Sequence, residues 1–259
     1  MNLVLIASLS AVCLFTCMLI AFEVGRRIGI ARFTKDSEGL AKGAGSAEAA
    51  VFALLGLIIA FTFSGAASRF EDRLHLITEE ANSIGTAYLR LDLLPADTQP
   101  ELKALFRQYV EVRATTYKNA SDQAATSAKL DQTAALQEEI WTKSLAATQR
   151  QDAPSQATML LLPALNEMID ITTTRMMALR NHPPMVVFLL LGFLSLVSAL
   201  LVGYDTSTNK NRSWIHIVVF AGIMALSVYV ILDIEFPRFG LIQVAAADQV
   251  LIDLRQNMR

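Results

Sequence analysis

The stretch that decides the fold reads VFALLGLIIAFTFSGAASRFEDRLHLITEEANSIGTAYLRLDLLP, residues 51–95. Its first part is apolar for about 20 residues, enough for a helix to cross a bilayer, and its second part is charged. One seam of regularly spaced residues runs through both parts in alternating steps of four and three. The seam consists of Ala49, Ala53, Gly56, Ala60, Phe63, Ala67, Phe70, Leu74, Ile77, Ala81, Ile84, Tyr88 and Leu91. A sustained 3.5-residue period is typical of left-handed helix packing.

One continuous helix is therefore predicted to carry the span out of the membrane and to end before Pro95, since a residue preceding proline disfavours the helical conformation. At about 1.5 Å per residue the seam is roughly 63 Å long, about twice the hydrocarbon thickness. Within the bilayer the seam is mostly small, as close helix contact in lipid requires, and beyond Ala67 it is large and aliphatic.

Two interpretations of the seam are open. It packs against other helices of the same chain, or it packs copies of the chain around a symmetry axis. In the second case the candidate pore-lining residues are Gly56, Ala60, Phe63 and Ala67, with Phe63 as a hydrophobic constriction.

Composition places the whole chain in a membrane. Of 259 residues, 53% are hydrophobic and 18% are charged, against about 45–50% and 25% in soluble domains. The excess lies in four predicted spans, residues 3–22, 47–67, 185–204 and 214–232. This excludes an ordinary soluble enzyme, and 22 Lys and Arg against 24 Asp and Glu give no basic excess for binding nucleic acid. The predicted fold class is all-α, a polytopic membrane protein with the lipid bilayer as its surroundings.

Four segments follow from these spans. Residues 1–67 form a first transmembrane pair, residues 68–184 an extramembrane helical domain continuous with span two, residues 185–232 a second pair, and residues 233–259 an amphipathic tail. Span one is expected to be retained, because a cleaved signal peptide would have a basic residue before it and small residues after it.

The extramembrane domain is predicted to be a helical bundle, because no stretch alternates with a period of two. Thr98-Gln99-Pro100-Glu101 resembles a capping box that starts a helix with Leu102, Leu105, Tyr109 and Val112 on its apolar face. A polar loop is expected at residues 119–128. Further helices are expected at residues 130–148, burying Leu136, Ile140 and Trp141, and at residues 155–180.

Basic residues in the short loops predict the orientation. Loop one carries Arg26, Arg27, Arg32, Lys35 and Lys42, and loop three carries Lys210 and Arg212. The positive-inside rule makes both loops cytoplasmic. The long middle segment and both termini are then predicted to be periplasmic, in a bacterial inner membrane, although Arg238, Arg255 and Arg259 follow the last span.

No motif predicts catalysis, a cofactor or a metal. His75, His182 and His216 are scattered, and no nucleophile or H-E-x-x-H motif is present. Cys13 and Cys17 lack further ligands and are interpreted as small packing residues. Gly25-x-x-x-Gly29, at the end of span one, is interpreted as a weak helix-contact signal.

The acidic residues that border the predicted spans, Glu23, Glu48, Asp233 and Glu235, lie at membrane edges and not in the middle of the bilayer. Glu48, Asp233 and Glu235 are interpreted as ordinary solvated interfacial charges, with a functional role as the alternative. The predicted bilayer centre holds only Ser and Thr as polar residues, which argues against a proton pump with a carboxylate relay.

Residues 56–95 resemble the hallmark segment of the bacterial bestrophin-like domain family of unknown function. The matching elements are F-T-F-S at 61–64, E-A-N at 80–82, I-G-T at 84–86, Y-L-R at 88–90 and L-L-P at 93–95. The resemblance continues in ELKALFRQYVEVR, in LNEMID with Arg175 and Arg180, and in DIEFPRFGLIQV. The family-motif positions are Glu80, Asn82, Gly85, Tyr88, Arg90 and Pro95.

The resemblance implies a distant likeness to bestrophins, which are pentameric anion channels whose second helix lines the pore. It thus implies a homo-oligomer that conducts a small ion. The chain departs from bestrophins in its charge-based orientation and in lacking an acidic cluster like the bestrophin calcium clasp. The alternative function is a non-conducting scaffold or sensor whose extramembrane bundle binds a partner or ligand.

Overall fold

The computed structural model describes residues 3–33, 44–116, 122–208, 214–237, 241–242, 244 and 247–258, and the regular secondary structure of these residues is entirely helical. This confirms the predicted fold class. The helices are α1 (Leu3–Phe33), α2 (Ala44–Arg90), α3 (Gln99–Thr116), α4 (Gln123–Thr148), α5 (Ser155–Arg180), α6 (Met185–Asp205), α7 (Trp214–Glu235) and α8 (Gln249–Asn257). Short 3₁₀ turns follow α2 at Leu91–Leu93 and α6 at Thr206–Thr208.

The chain divides into two compact units. The first unit comprises Met1–Ser68 and His182–Phe236, and the second comprises Arg69–Asn181 and Pro237–Arg259. Among the described residues, four helical segments are long and apolar enough to cross a membrane, and α1, α2, α6 and α7 carry them. Of the basic loop residues that predicted the orientation, Lys35, Lys42, Lys210 and Arg212 lie outside the described residues, as do Arg238 and Arg259.

In the first unit, α1 packs along α6 and also contacts α7. The crossing of α1 and α6 is close because two glycines of α1 lie directly against the backbone of α6 and the turn that follows it. A Cβ atom at Gly25 would lie against the carbonyl oxygen of Leu200, and one at Gly29 would meet Ser207 and the carbonyl oxygen of Tyr204. The interpretation of Gly25-x-x-x-Gly29 as a weak signal is therefore wrong, because both glycines form this crossing.

The helix α2 joins the first unit through one side only. Leu55 and Ala66 are buried there and belong to one apolar cluster with Leu191, Leu194 and Ile231 of α6 and α7. An edge-to-face contact between Phe52 and Phe220, with ring centroids 6.0 Å apart, adds to it.

The second unit is built around one apolar core, to which α2, α3, α4, α5 and α8 contribute. The start of α4 differs from the prediction. Residues 117–121 of the expected polar loop lie outside the described residues, but α4 already begins at Gln123. The Asp122 carboxylate accepts a 2.9 Å hydrogen bond from the backbone N–H of Ala125. This N-cap and the alanines that follow it favour helix over loop.

Candidate functional site

The intramembrane part of the seam is exposed in the protomer. Gly56, Ala60 and Phe63 are exposed, and Ala67 is half-buried. The Phe63 side chain is 46% exposed, and a Cβ atom added at Gly56 would meet nothing within 4 Å. In contrast, Leu55 is 1% exposed on the side of α2 that packs in the unit. The four predicted seam residues therefore form an outward-facing stripe on α2.

The outer part of the same seam is buried in the core of the second unit. Ala81, Ile84, Tyr88 and Leu91 lie in that core, and Ile77 on the preceding turns is also buried. The change from an exposed to a buried seam has a geometric cause. An α-helix with 3.6 residues per turn drifts about 20° per heptad from a 3.5-residue pattern. Over the five heptads from Gly56 to Leu91, the seam therefore rotates by about 100° around the helix axis. Intramolecular packing explains the outer half of the seam, whereas the described residues leave most of the intramembrane half uncovered.

The second unit contains a buried ion network centred on Glu80. The two oxygens of the Glu80 carboxylate accept hydrogen bonds from Nε of Arg113 and from Nη1 of Arg175. Nη2 of Arg175 also donates a 2.8 Å bond to Oδ1 of Asp248. The side chains of Glu80, Arg113 and Arg175 are almost wholly buried. The network therefore joins α2, α3, α5 and the residue that precedes α8.

The electrostatics of this network keep Glu80 ionised. Glu80 lies about 20 Å beyond Ala67 along α2, outside the predicted span. Burial alone would raise the pKa of the Glu80 carboxyl, but the Arg113 and Arg175 guanidiniums outweigh it and hold that pKa below its usual value. Burial also raises the pKa of the nearby Tyr109 hydroxyl, which accepts a 3.1 Å bond from Nε2 of Gln137.

The other family-motif positions have separate places in the second unit. Tyr88 is buried edge-to-face against Phe106, and a Cβ atom at Gly85 would lie 3.5 Å from Cδ1 of Leu254 on α8. Pro95 is buried, and its carbonyl oxygen accepts a 2.8 Å bond from Oγ1 of Thr98.

Asn82 and Arg90 line an open groove between α2 and α5. Nη1 of Arg90 donates a 2.6 Å bond to the carbonyl oxygen of Leu160, which ties the end of α2 to α5. The groove has a volume of about 690 Å³, and its other polar lining residues are Glu79, Ser83, Thr86, Asn166, Glu167, Asp170 and Thr174. It is a polar concavity of the second unit, open to solvent and large enough for a small ligand.

The membrane-edge acids do not share one environment. Glu48 is half-buried, whereas Asp233 and Glu235 are buried, at 4% and 0% exposure. Oε1 of Glu235 lies 2.9 Å from Nδ1 of His182, whose ring stacks on Phe236. The interpretation of Asp233 and Glu235 as solvated interfacial charges is wrong, because the end of α7 turns both carboxylates into the protein.

Sequence reasoning missed Arg113 as a partner of Glu80 and Asp248 as a partner of Arg175. Arg113 continues the buried stripe of α3 that includes Leu102, Phe106 and Tyr109, so its helical spacing was a usable signal. Val112, which was predicted on that face, is only half-buried, as is Trp141 on α4. Asp248 had no comparable signal, because the distant C-terminal segment brings it to Arg175.

In the part of the chain that the structure describes, no three His, Cys, Asp or Glu side chains converge in a way that could hold a metal ion. The features that remain are the outward stripe on α2, the buried network and the groove.

Four apolar helices and an all-helical second unit define the class: a polytopic helical membrane protein. The chain belongs to the bestrophin-like domain family, whose model matches residues 12–248. A comparison with curated proteins found no match.

Crystal structures of a bacterial bestrophin homologue from Klebsiella pneumoniae share the fold. One mutant form gives a TM-score of 0.69 at 13% identity, covering 95% of this chain and 98% of that one. Another gives 0.66 at 14% identity, covering 96% and 99%. At this identity the likeness concerns the fold alone.

Proposed function

We propose that the protein is a homo-oligomeric ion channel in which α2 from each copy surrounds a central axis. Gly56, Ala60, Phe63 and Ala67 lie nearest that axis. The observation that carries the proposal is the apolar outward stripe on α2, in which Gly56, Ala60 and Phe63 are exposed in the protomer and Ala67 is half-buried. Membership of the bestrophin-like family supports it. No enzymatic activity is part of the proposal.

Two exposed faces of α2 differ in a way that favours helix contact at the stripe. Leu54, Leu57 and Phe61 form one face and are 45%, 49% and 65% exposed. Large side chains of this kind suit lipid, whereas Gly56 and Ala60 allow the backbones of neighbouring helices to approach closely. The stripe is thus suited to other copies of α2, and the face with Leu54 to lipid.

Phe63 is the largest side chain of the stripe and would form the narrowest part of such a pore. Apolar constrictions of this kind gate channels by excluding water. For the orientation we propose that loops one and three are cytoplasmic and that the second unit and both termini are periplasmic, on the charge bias of the short loops.

The test combines mass measurement in detergent with planar-bilayer recording of the purified protein. An oligomer with unitary conductance is expected. A monomer by mass together with silent bilayers would overturn the proposal.

A matched pair of variants tests the pore-lining role. Phe61 and Phe63 are both exposed on α2, but they point about 160° apart because each residue turns the helix by about 100°. Phe63→Ala should raise the unitary conductance, and Phe61→Ala should leave it unchanged. Equal effects of the two substitutions would contradict the assignment of the axis.

The second candidate function is a non-conducting sensor, which the groove between α2 and α5 favours. Its volume of about 690 Å³ is within the range of small-molecule sites. An oligomer that is silent in bilayers, and that is stabilised by a polar metabolite in thermal unfolding, would favour the sensor over the channel.

A further inference from the structure

The first charged turn of α2 after the predicted span continues the outward stripe. Because α2 is one uninterrupted helix from Ala44 to Arg90, helix geometry sets the position of Glu71 relative to Ala67. Residues four apart are neighbours on one face, offset by about 40°. Glu71 thus follows Ala67 on the side of α2 that carries Gly56, Ala60 and Phe63.

The carboxylate of Glu71 is exposed. Among the described residues it has no hydrogen bond or ion pair, whereas Glu79, two turns further on, is paired with His75 at 3.5 Å. Its charge is therefore available to solvent and to ions in solution.

The nearest basic residue after Glu71 points the other way. Arg73 is 3% exposed, its Nε donates a 3.2 Å bond to the carbonyl oxygen of Ala178, and its Nη2 donates a 3.0 Å bond to that of Asn181. The positive charge of this turn is therefore directed into the second unit. Arg69, two residues before Glu71, is half-buried and lies about 160° from Glu71 around the helix. Glu71 is thus the charged residue of this turn on the side of α2 that carries Ala67.

We propose that Glu71 makes the channel selective for cations. This inference rests on the proposed function, since one Glu71 per copy becomes a ring only when α2 surrounds an axis. Rings of carboxylates select cations in channels, because they raise the local concentration of cations and repel anions. The ring lies at the mouth that follows Ala67, where ions are hydrated, and not at the Phe63 constriction.

Asp72 provides a matched control. It is the next residue, is equally exposed, and has no ion pair among the described residues. However, it points about 100° further around the helix, away from the axis. Asp72→Asn removes the same charge from the same turn. It therefore distinguishes the effect of a carboxylate ring on ion selectivity from the effect of general surface charge.

The experiment measures reversal potentials of purified channels in planar bilayers under a KCl gradient. The reversal potential of the wild-type channel should lie between zero and the equilibrium potential of K⁺. Glu71→Gln should move the reversal potential toward zero, Glu71→Lys should reverse its sign, and Asp72→Asn should leave it in place. The oligomer mass of each variant should equal that of wild type, which shows that assembly is intact.

Three outcomes overturn the inference. They are an anion-selective wild type, a Glu71→Gln channel with unchanged reversal potential, and an Asp72→Asn shift as large as that of Glu71→Gln. In each case the protein conducts, so the proposed function stands while the role of Glu71 fails. Silent bilayers instead overturn the proposed function and this inference together.

Discussion

Gly25 of α1 and Gly203 of α6 lie on the two sides of one helix crossing, each against the backbone of the opposite helix. A Cβ atom at Gly25 would meet the carbonyl oxygen of Leu200, and one at Gly203 would meet that of Phe22. The two positions are thus reciprocal, and neither clash could be relieved by moving a flexible side chain. Small residues that bring helix backbones together are a main source of helix association in lipid, where no hydrophobic force drives it.

Replacing either glycine should separate α1 from α6. We expect Gly203→Ala to lower the free energy of unfolding by about 1–3 kcal/mol, the usual cost of overpacking. Denaturant titration of the purified protein in detergent measures it. Gly192→Ala on the same helix is the control, because a Cβ atom there meets nothing within 4 Å. Equal stability of the two variants would show that the crossing relaxes without cost.

Glu80→Gln should destabilise the second unit strongly. The substitution removes the carboxylate charge that lies between two buried guanidiniums. Breaking a buried ion pair on one side typically costs about 3–5 kcal/mol. Chemical unfolding followed by circular dichroism gives the difference from wild type.

Glu79→Gln is the matched control for Glu80→Gln, since it makes the same change on the neighbouring, partly exposed residue. Exposed pairs such as Glu79 with His75 contribute only about 0–1 kcal/mol. A Glu80→Gln protein as stable as the Glu79→Gln protein would refute the stabilising role of the network.

The stability difference between wild type and Glu80→Gln should shrink in acid. The pKa of Glu80 is lower in the folded protein than its ordinary value of 4.5. Its contribution is therefore fully present above pH 4.5 and is lost as the pH falls through the folded pKa. Unfolding titrations from pH 7 downward measure the difference. A difference that stays constant into strong acid would contradict this linkage.

Cysteine labelling in intact cells tests the proposed orientation. Cys13 and Cys17 are first replaced by alanine, and single cysteines are introduced as Asn119→Cys or Asn209→Cys. An impermeant maleimide should label only Asn119→Cys from outside, and Asn209→Cys should react only after permeabilisation. The reverse pattern would place the second unit in the cytoplasm.

Much of the fold was predictable because its signals are local. The apolar length of each span predicts a membrane helix, and Pro95 predicts the end of α2, which occurs at Arg90. The start of α5 at Ser155 after Pro154 was predicted for the same reason. The start of α4 was not, because the composition of residues 119–128 favours a loop while the Asp122 cap favours a helix.

What the sequence by itself determined is the class of protein, the four spans, the long second helix and the family, since these depend on hydrophobic length, helical period and short motifs. Only the tertiary structure decided which half of the seam is buried, because a 3.5-residue pattern drifts around a 3.6-residue helix, and the packing of the other helices decides which part of it they cover. It also decided that Glu80 pairs with Arg113 and Arg175, and that Arg175 pairs with Asp248. Ion pairs between residues far apart in sequence form only when packing brings their helices together, and no local pattern encodes that arrangement.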